Sequence, residues 1–474
     1  MTLETFKTTL KAAAQDGSLA GGVIGEGVMI PGANGEVPLV YADYVASGRA
    51  MRQVEDYVTE HVLPFYANSH TEASYCGSYI TRLRRAARAE ISRVTKASDE
   101  DAVIFAGSGA TAGLNRLVSL LEVNNAEAPV VLIGPYEHHS NILPWRESKA
   151  KVVEIPEAPE GGVDLEALRL ALTEHASSDL LIGSFSAASN VTGIVTDTDA
   201  VSRILHAAGG LAVWDYAGGG PYLPIAMQGE DGAHKDAIVV SPHKFPGGPG
   251  SSGVLIVNEN VVKRRCPSWP GGGTVSFVSP WTHEYSDDIA TREEAGTPNV
   301  VGDIRAALAF LVKEAVGETE IARKEARFAE MARVGWGDNP KINILGHSTA
   351  HRLPIFSFTV KGASGAPVHQ QLFTRMLSDF YGIQARGGCA CAGPYAHRLL
   401  GIERAESDAL FEDLKAGKEM LKPGWVRLNF SYLMSEETVQ FIIDSVNELS
   451  EQAESLAEKY QADPLTARFQ AFAA

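Results

Sequence analysis

Only four of the 474 residues are cysteine and only 8% are aromatic. Cys76, Cys266, Cys389 and Cys391 are too few for a disulfide scaffold, and two of them sit one residue apart. Such usage fits a reducing compartment, and the expected location is the cytoplasm. Basic side chains are also scarce, 41 against 58 acidic ones, for a formal net charge of −17. A nucleic-acid or anionic-membrane surface needs a basic footprint, so neither partner is expected. One small anion in a local pocket stays possible. No window approaches the ~20 apolar residues of a membrane span. The stretch from Met1 to Lys7 is polar and mixed in charge, without the apolar run of a signal peptide. Internal repeats and low-complexity tracts are lacking too.

What remains is a globular mixture, 45% hydrophobic and 21% charged. The length is too great for one core, which implies a large domain and a smaller one. From about residue 100 to 260, short β-branched runs (102–105, 130–133, 151–155, 180–185, 211–214, 237–240 and 253–257) alternate with helical segments. The clearest helices are 164–175 and 196–208, each opened by acidic or hydroxyl capping residues. Strands separated by helices predict an α/β fold: a mostly parallel seven-stranded sheet covered on both faces. After Pro298 the pattern changes, with helices over 303–313, 319–334, 368–381 and 435–460 and strands over 355–360 and 426–430. These predict a smaller α+β domain. The expected division is a large domain over 41–318 and a small one from 1–40 and 319–474.

Ligands of such sheets bind beyond the carboxyl ends of the strands. Past the run at 237–240 lies Ser241-Pro242-His243-Lys244-Phe245-Pro246-Gly247-Gly248. A lysine in an apolar pocket has an available lone pair and can form an imine with an aldehyde; the plain alternative is a surface charge. Asp215 ends the run at 211–214. It is a strand cap, or else an acid that holds a pyridine nitrogen protonated. Gly107-Ser108-Gly109-Ala110-Thr111 joins a strand to a helix and reads as a phosphate cup or an ordinary loop. Its dinucleotide-like spacing lacks the ribose-binding acid. In Glu137-His138-His139-Ser140-Asn141 the adjacent histidines point in different directions and lack further ligands, so one imidazole stacked on a planar ring is the better reading. Asn190, in Ser189-Asn190-Val191-Thr192-Gly193, is a turn residue or a hydrogen-bonding partner of a ring or substrate.

Arg386-Gly387-Gly388-Cys389-Ala390-Cys391-Ala392-Gly393-Pro394 is the setting of a reactive cysteine. Zinc is left short of ligands by Cys389, Cys391 and His397, so no metal is expected. Arg427, inside an apolar strand, must be paired, either with a structural acid or with a substrate carboxylate.

In this order, from Tyr41-Ala42-Asp43 to about Val446, these motifs resemble the class V aminotransferase family of fold-type I pyridoxal-phosphate enzymes. Within it they resemble the cysteine desulfurase and selenocysteine lyase branch. Glu294-Ala295-Gly296-Thr297-Pro298-Asn299 adds to the likeness. The resemblance implies pyridoxal phosphate as cofactor, bound covalently by Lys244, with Asp215 on the pyridine nitrogen and His138 stacked on the ring as a catalytic group. It assigns Ala110, Thr111, Ser241 and His243 to the phosphate, and Asn190, Arg427 and Arg386 to the substrate, with Asn190 also beside the cofactor. Cys391 falls where the desulfurases keep their sulfur-accepting cysteine. The implied reaction takes sulfur from L-cysteine, gives alanine and leaves a persulfide on Cys391. The alternative is an aminotransferase or β-lyase acting on another amino acid, with Cys391 idle. A homodimer with shared active sites is implied, with Thr274 of the Gly271–Thr274 loop reaching the partner's phosphate, and an acceptor protein for the sulfur. Three features depart from the family pattern: Gly218 where a glutamine is common, Cys389-Ala390 where histidines are common, and a charged helix within 403–423.

Overall fold

The computed structural model describes residues 2–69, 72–347, 349–362 and 365–472. The chain divides into two compact units. One comprises residues up to Ile24, Ser47–Ala188 and Val195–Glu320; the other comprises Gly25–Ala46, Ser189–Ile194 and residues from Ile321 onward.

The first unit is built on seven strands: β1 (Asp101–Gly107), β2 (Pro129–Ile133), β3 (Lys151–Glu154), β4 (Leu180–Ser186), β5 (Leu211–Asp215), β6 (Ala237–Val240) and β7 (Gly253–Asn258). They lie in the order β1-β7-β6-β5-β4-β2-β3. Every pair from β6 to β3 is parallel, and β7 alone runs against its neighbours β1 and β6. This is the mostly parallel seven-stranded sheet that the sequence predicts. Its strands read as unbroken apolar runs because both faces are buried: β4 and β6 have no exposed residue.

Helix α1 (Leu3–Gln15) opens the chain, and α2 (Gly109–Leu120), α3 (Leu165–Glu174) and α4 (Thr198–Ala207) lie between strands. The Asp164 side chain caps α3 by accepting from the Glu166 and Ala167 amides, and Asp197 caps α4 through Ala200. Leu114, Leu117 and Leu120 of α2 share one core with Val131, Ile133, Val239 and Leu255 of the sheet. Helix α5 (Val300–Val316) follows. The expected assignment of residues 1–40 to the smaller domain needs correction: residues up to Ile24 group with the sheet unit. The reason is that α1 buries Leu3, Phe6 and Leu10 and packs against α5.

In the second unit, β8 (Ile342–Ile344), β9 (Ile355–Val360), β10 (Arg386–Gly388) and β11 (Trp425–Asn429) form an antiparallel sheet in the order β8-β9-β11-β10. Helices α6 (Glu318–Gly337), α7 (Gln370–Tyr381) and α9 (Glu436–Ala457) contribute Trp336, Phe373 and Ile442 to a core with Phe356, Phe358 and Phe430. Residues 189–194 belong here because Val191 accepts a hydrogen bond from Ser357 Oγ (2.7 Å) and Ile194 bridges Arg352. The charged segment expected within 403–423 contains helix α8 (Arg404–Lys415), which buries no residue. Among the described residues, no helix is long and apolar enough to cross a membrane.

Candidate active site

The sheet unit gathers its polar groups at strand ends. β5 carries the fully buried Val213 and Trp214, and so delivers Asp215 into the interior at 3% exposure. Asp215 Oδ1 accepts from the Ala217 amide at 2.7 Å, and no cation pairs with this carboxylate among the described residues. Burial pushes its pKa up, while the Ala217 hydrogen bond and the positive charge of Lys244 act in the opposite direction. A buried acid supported by one amide is costly, and a cationic ring nitrogen beside it would offset that cost.

After β6 the chain turns through a short 3-10 segment, Pro242–Lys244, and the Lys244 amide donates to Ser241 O at 3.0 Å. Phe245 anchors this turn: its side chain is fully buried, with its ring 5.0 Å from that of Phe310. His243 is half-buried. Burial, and then the adjacent Lys244 charge, lower its pKa to about 4, so the imidazole is neutral at neutral pH. A neutral imidazole can still donate one N–H to an anion.

The third element is the start of α2. Gly107 (φ +87°) and Gly109 (φ +62°) take left-handed backbone angles that the connection from β1 to α2 requires. At Gly109 a side chain is also excluded by space, because a Cβ would lie 2.8 Å from Ser241 Oγ and 2.9 Å from His243 Cε1. The Ala110 amide donates to Ser241 Oγ at 2.9 Å, which leaves the serine hydroxyl proton for another acceptor. Thr111 Oγ1 is 2.7 Å from Ser140 Oγ, and Ser140 donates its amide to His138 Nδ1 at 3.1 Å. With Nδ1 accepting, the imidazole proton sits on Nε2.

Behind His138 is a buried polar network. Glu137 accepts from the Ser186 amide (2.8 Å), Ser186 Oγ (2.6 Å) and Asn141 Nδ2 (2.6 Å), and Asn141 in turn accepts from Trp145 Nε1 (3.1 Å). Burial raises the Glu137 pKa to about 7 against these hydrogen bonds, and the negative charge of Asp215 pushes the same way.

These residues fit a phosphorylated pyridine aldehyde. The amide end of a twelve-residue helix, a serine hydroxyl and a neutral imidazole converge where a Cβ is excluded. The buried Asp215 is matched to a protonated ring nitrogen, and Lys244 lies close enough for its charge to act on both Asp215 and His243. Thr274 engages its own loop: it is buried, and its Oγ1 donates to Gly271 O at 2.7 Å.

The second unit assembles the other residues that the sequence singles out. Arg427, on β11 and 3% exposed, donates from Nη1 to Asn190 O (3.0 Å) and from Nη2 to Asp43 Oδ1 (2.9 Å). Arg386 Nε reaches the other oxygen of Asp43 at 3.0 Å. One arm of the Arg427 guanidinium thus already holds a carboxylate. Asn190 donates from Nδ2 to Ala390 O at 2.9 Å, whereas its buried Oδ1 has no partner among the described residues. Ala390 and Cys391 occupy a tight turn closed by the Ala392 amide on Cys389 O (3.2 Å). Both central residues are left-handed, at φ +53° and +56°, which makes this a type I′ turn formed without glycine. Cys391 is exposed and Cys389 half-buried, and all four cysteines are free thiols.

Sequence reasoning missed Asp43, Ser140 and the role of Glu137. The signal for Asp43 was an acid set among the apolar residues Ala42, Tyr44 and Val45.

The family model "Aminotransferase class-V" matches residues 40–441. A probable cysteine desulfurase of Streptomyces coelicolor is 28% identical over 398 residues, spanning 80% of this chain and 91% of that protein. One from Vibrio cholerae is 26% identical over 415 residues, 86% of this chain and 93% of that one. Among solved structures, the apo cysteine desulfurase of Thermococcus onnurineus superposes with a TM-score of 0.71 at 22% identity, covering 87% of this chain and 94% of its own, a likeness of fold.

Proposed function

The chain belongs to the class V aminotransferases, and from that premise we propose that it is a pyridoxal-phosphate-dependent cysteine desulfurase. It takes sulfur from L-cysteine, releases alanine and leaves a persulfide on Cys391. The observation that carries the reading is the buried Asp215 carboxylate, which has no paired cation among the described residues but lies within the electrostatic reach of Lys244.

When bound, the coenzyme supplies an electron sink for negative charge at the substrate Cα. The chain's own groups do the rest. Ser241, His243, Thr111 and the amide end of α2 would hold the phosphate. Asp215 would keep a proton on the ring nitrogen, and His138 would pack on the ring face. Lys244 Nζ would carry the coenzyme and, when free, would take the substrate α-proton. Arg427 and Arg386 grip the substrate carboxylate in competition with Asp43. Asn190 orders the turn that presents Cys391. The Cys391 thiolate attacks the substrate sulfur, whose bond to Cβ breaks as the S–S bond forms. A proton then completes the methyl group of alanine.

An exposed thiol suits onward delivery of sulfur to the thiol of an acceptor protein, and four free cysteines suit the cytoplasm. A homodimer belongs to the same proposal. Trp281 is 89% exposed and Phe277 55%, on and beside the strands Val275–Val278 and His283–Tyr285, an apolar surface that a second copy would cover.

The test is to incubate the purified protein with L-cysteine and a dithiol, and to assay sulfide, alanine and keto acids together. Equal amounts of sulfide and alanine are expected. Pyruvate and ammonia in place of alanine would mark a β-lyase, and a keto acid without sulfide would mark an aminotransferase.

A further inference from the structure

We propose that Cys389 is a resolving thiol, which discharges the persulfide of Cys391 as hydrogen sulfide and leaves a Cys389–Cys391 disulfide. The proposal rests on the desulfurase reading and adds a redox step to it.

Both thiols belong to the tight turn around Ala390. Cys389 and Cys391 are its first and third residues, and Ala390 between them is left-handed. A residue with helical angles of either hand draws its two neighbours together. Their Cα atoms then fall within the window of roughly 4.4–6.8 Å that a disulfide requires, where an extended strand would hold them at its outer edge or beyond. The turn is fixed from outside by Asn190 Nδ2 on Ala390 O, so the proximity of the two cysteines is built into the fold. It is also unusual. Two consecutive non-glycine residues take positive φ, although glycines stand nearby at 387 and 388. An exposed Cys391 beside a half-buried Cys389 further suits one thiol that meets the substrate and one that acts afterwards.

The step balances. The Cys389 thiolate attacks Cys391 Sγ; the bond from that sulfur to the outer, sulfane sulfur breaks, and the outer sulfur leaves with the electron pair as hydrosulfide. The sulfane sulfur is reduced by two electrons while two thiols are oxidised to one disulfide. A dithiol reductant then restores both cysteines. The small ring makes a strained disulfide, of the labile kind that such a reductant opens readily.

The experiment is a single turnover of the holoenzyme with L-cysteine and no reductant, read by alanine, free sulfide, a count of remaining thiols and the mass of the peptide spanning 386–398. The expected result is one alanine and one sulfide per subunit, with the peptide two hydrogens lighter and Cys76 and Cys266 still titrating. Cys389→Ser is expected to yield alanine once, release no sulfide and keep one added sulfur on the peptide. Wild-type peptide that retains the added sulfur, with no cross-link and no free sulfide, would overturn the resolving role alone. Absence of alanine would overturn the desulfurase reading, and this proposal with it. As an arm independent of turnover, the protein is equilibrated in a glutathione redox buffer: an intramolecular 389–391 cross-link supports the proposal, and stable mixed disulfides on both cysteines contradict it.

Discussion

The two units of the chain hold the groups proposed to react in opposite ways. The sheet unit holds Asp215 at the end of a largely buried strand, and Ser241 and Lys244 in the turn that follows a fully buried one, supported by short hydrogen bonds and by the anchored ring of Phe245. The second unit presents Cys391 on an exposed turn whose central residues are strained and whose anchor is one amide hydrogen bond from Asn190. The difference matches the two tasks proposed for these groups. Stabilising charge on a coenzyme requires groups that are fixed before the reaction starts, because reorganisation would erode their effect. Passing a sulfur atom onward requires a thiol that can move and be reached.

The comparison is broken most severely by exchanging the two reactive groups. Lys244→Ala is expected to lose the yellow colour of the bound coenzyme and to lower alanine formation by about a thousandfold or more. Cys391→Ser is expected to stop sulfide release while leaving the visible spectrum intact, and absorbance together with product assays separates the two outcomes. If both variants lost their colour, the separation of tasks between the units would fail. Next in size is Asp215→Asn, which keeps the shape but cannot hold a proton on the ring nitrogen. Its alanine formation is expected to fall by about a hundredfold to a thousandfold, with the phosphate contacts and coenzyme stoichiometry retained.

A smaller effect sharpens the electrostatic side. Glu137 has a pKa raised to about 7 in the fold, above the usual value of 4.5. A group so raised contributes its full stability below the unfolded pKa and loses it as pH rises through the folded one. Unfolding free energy is therefore expected to decline between about pH 4.5 and 7, by a part on the order of 3 kcal/mol attributable to this carboxyl. In Glu137→Gln that part of the slope should vanish. Urea melts across this range check it; the change of slope is the readout, since the amide also disturbs the hydrogen bonds with Asn141 and Ser186. The smallest effect is on the turn. Asn190→Ala removes one hydrogen bond, worth about 1 kcal/mol, and is expected to slow sulfide release roughly fivefold with no change in the coenzyme spectrum.

Much of the sheet unit was legible in the sequence because its signals are local. Unbroken apolar runs mark strands buried on both faces; Asp215 closes one of them, and Lys244 stands four residues past the end of another. The second unit was harder to read because its decisive contacts are remote. Asp43 meets Arg427 across 384 positions of sequence, so no window of residues could have paired them. The left-handed turn at Ala390 and Cys391 was hidden for another reason: neither residue type favours that conformation. Helix α1, which buries Leu3, Phe6 and Leu10, was not read from the sequence, and periodicity by itself carries no record of which core such a face covers.

The central claim is that Lys244 is the residue that carries the coenzyme. Reduction of the protein reconstituted with pyridoxal phosphate by borohydride, followed by peptide mass mapping, tests it directly. The account expects a phosphopyridoxyl group fixed on Lys244 with loss of the yellow colour. A protein that stays unlabelled, or a label on another lysine with Lys244 unmodified, would contradict it.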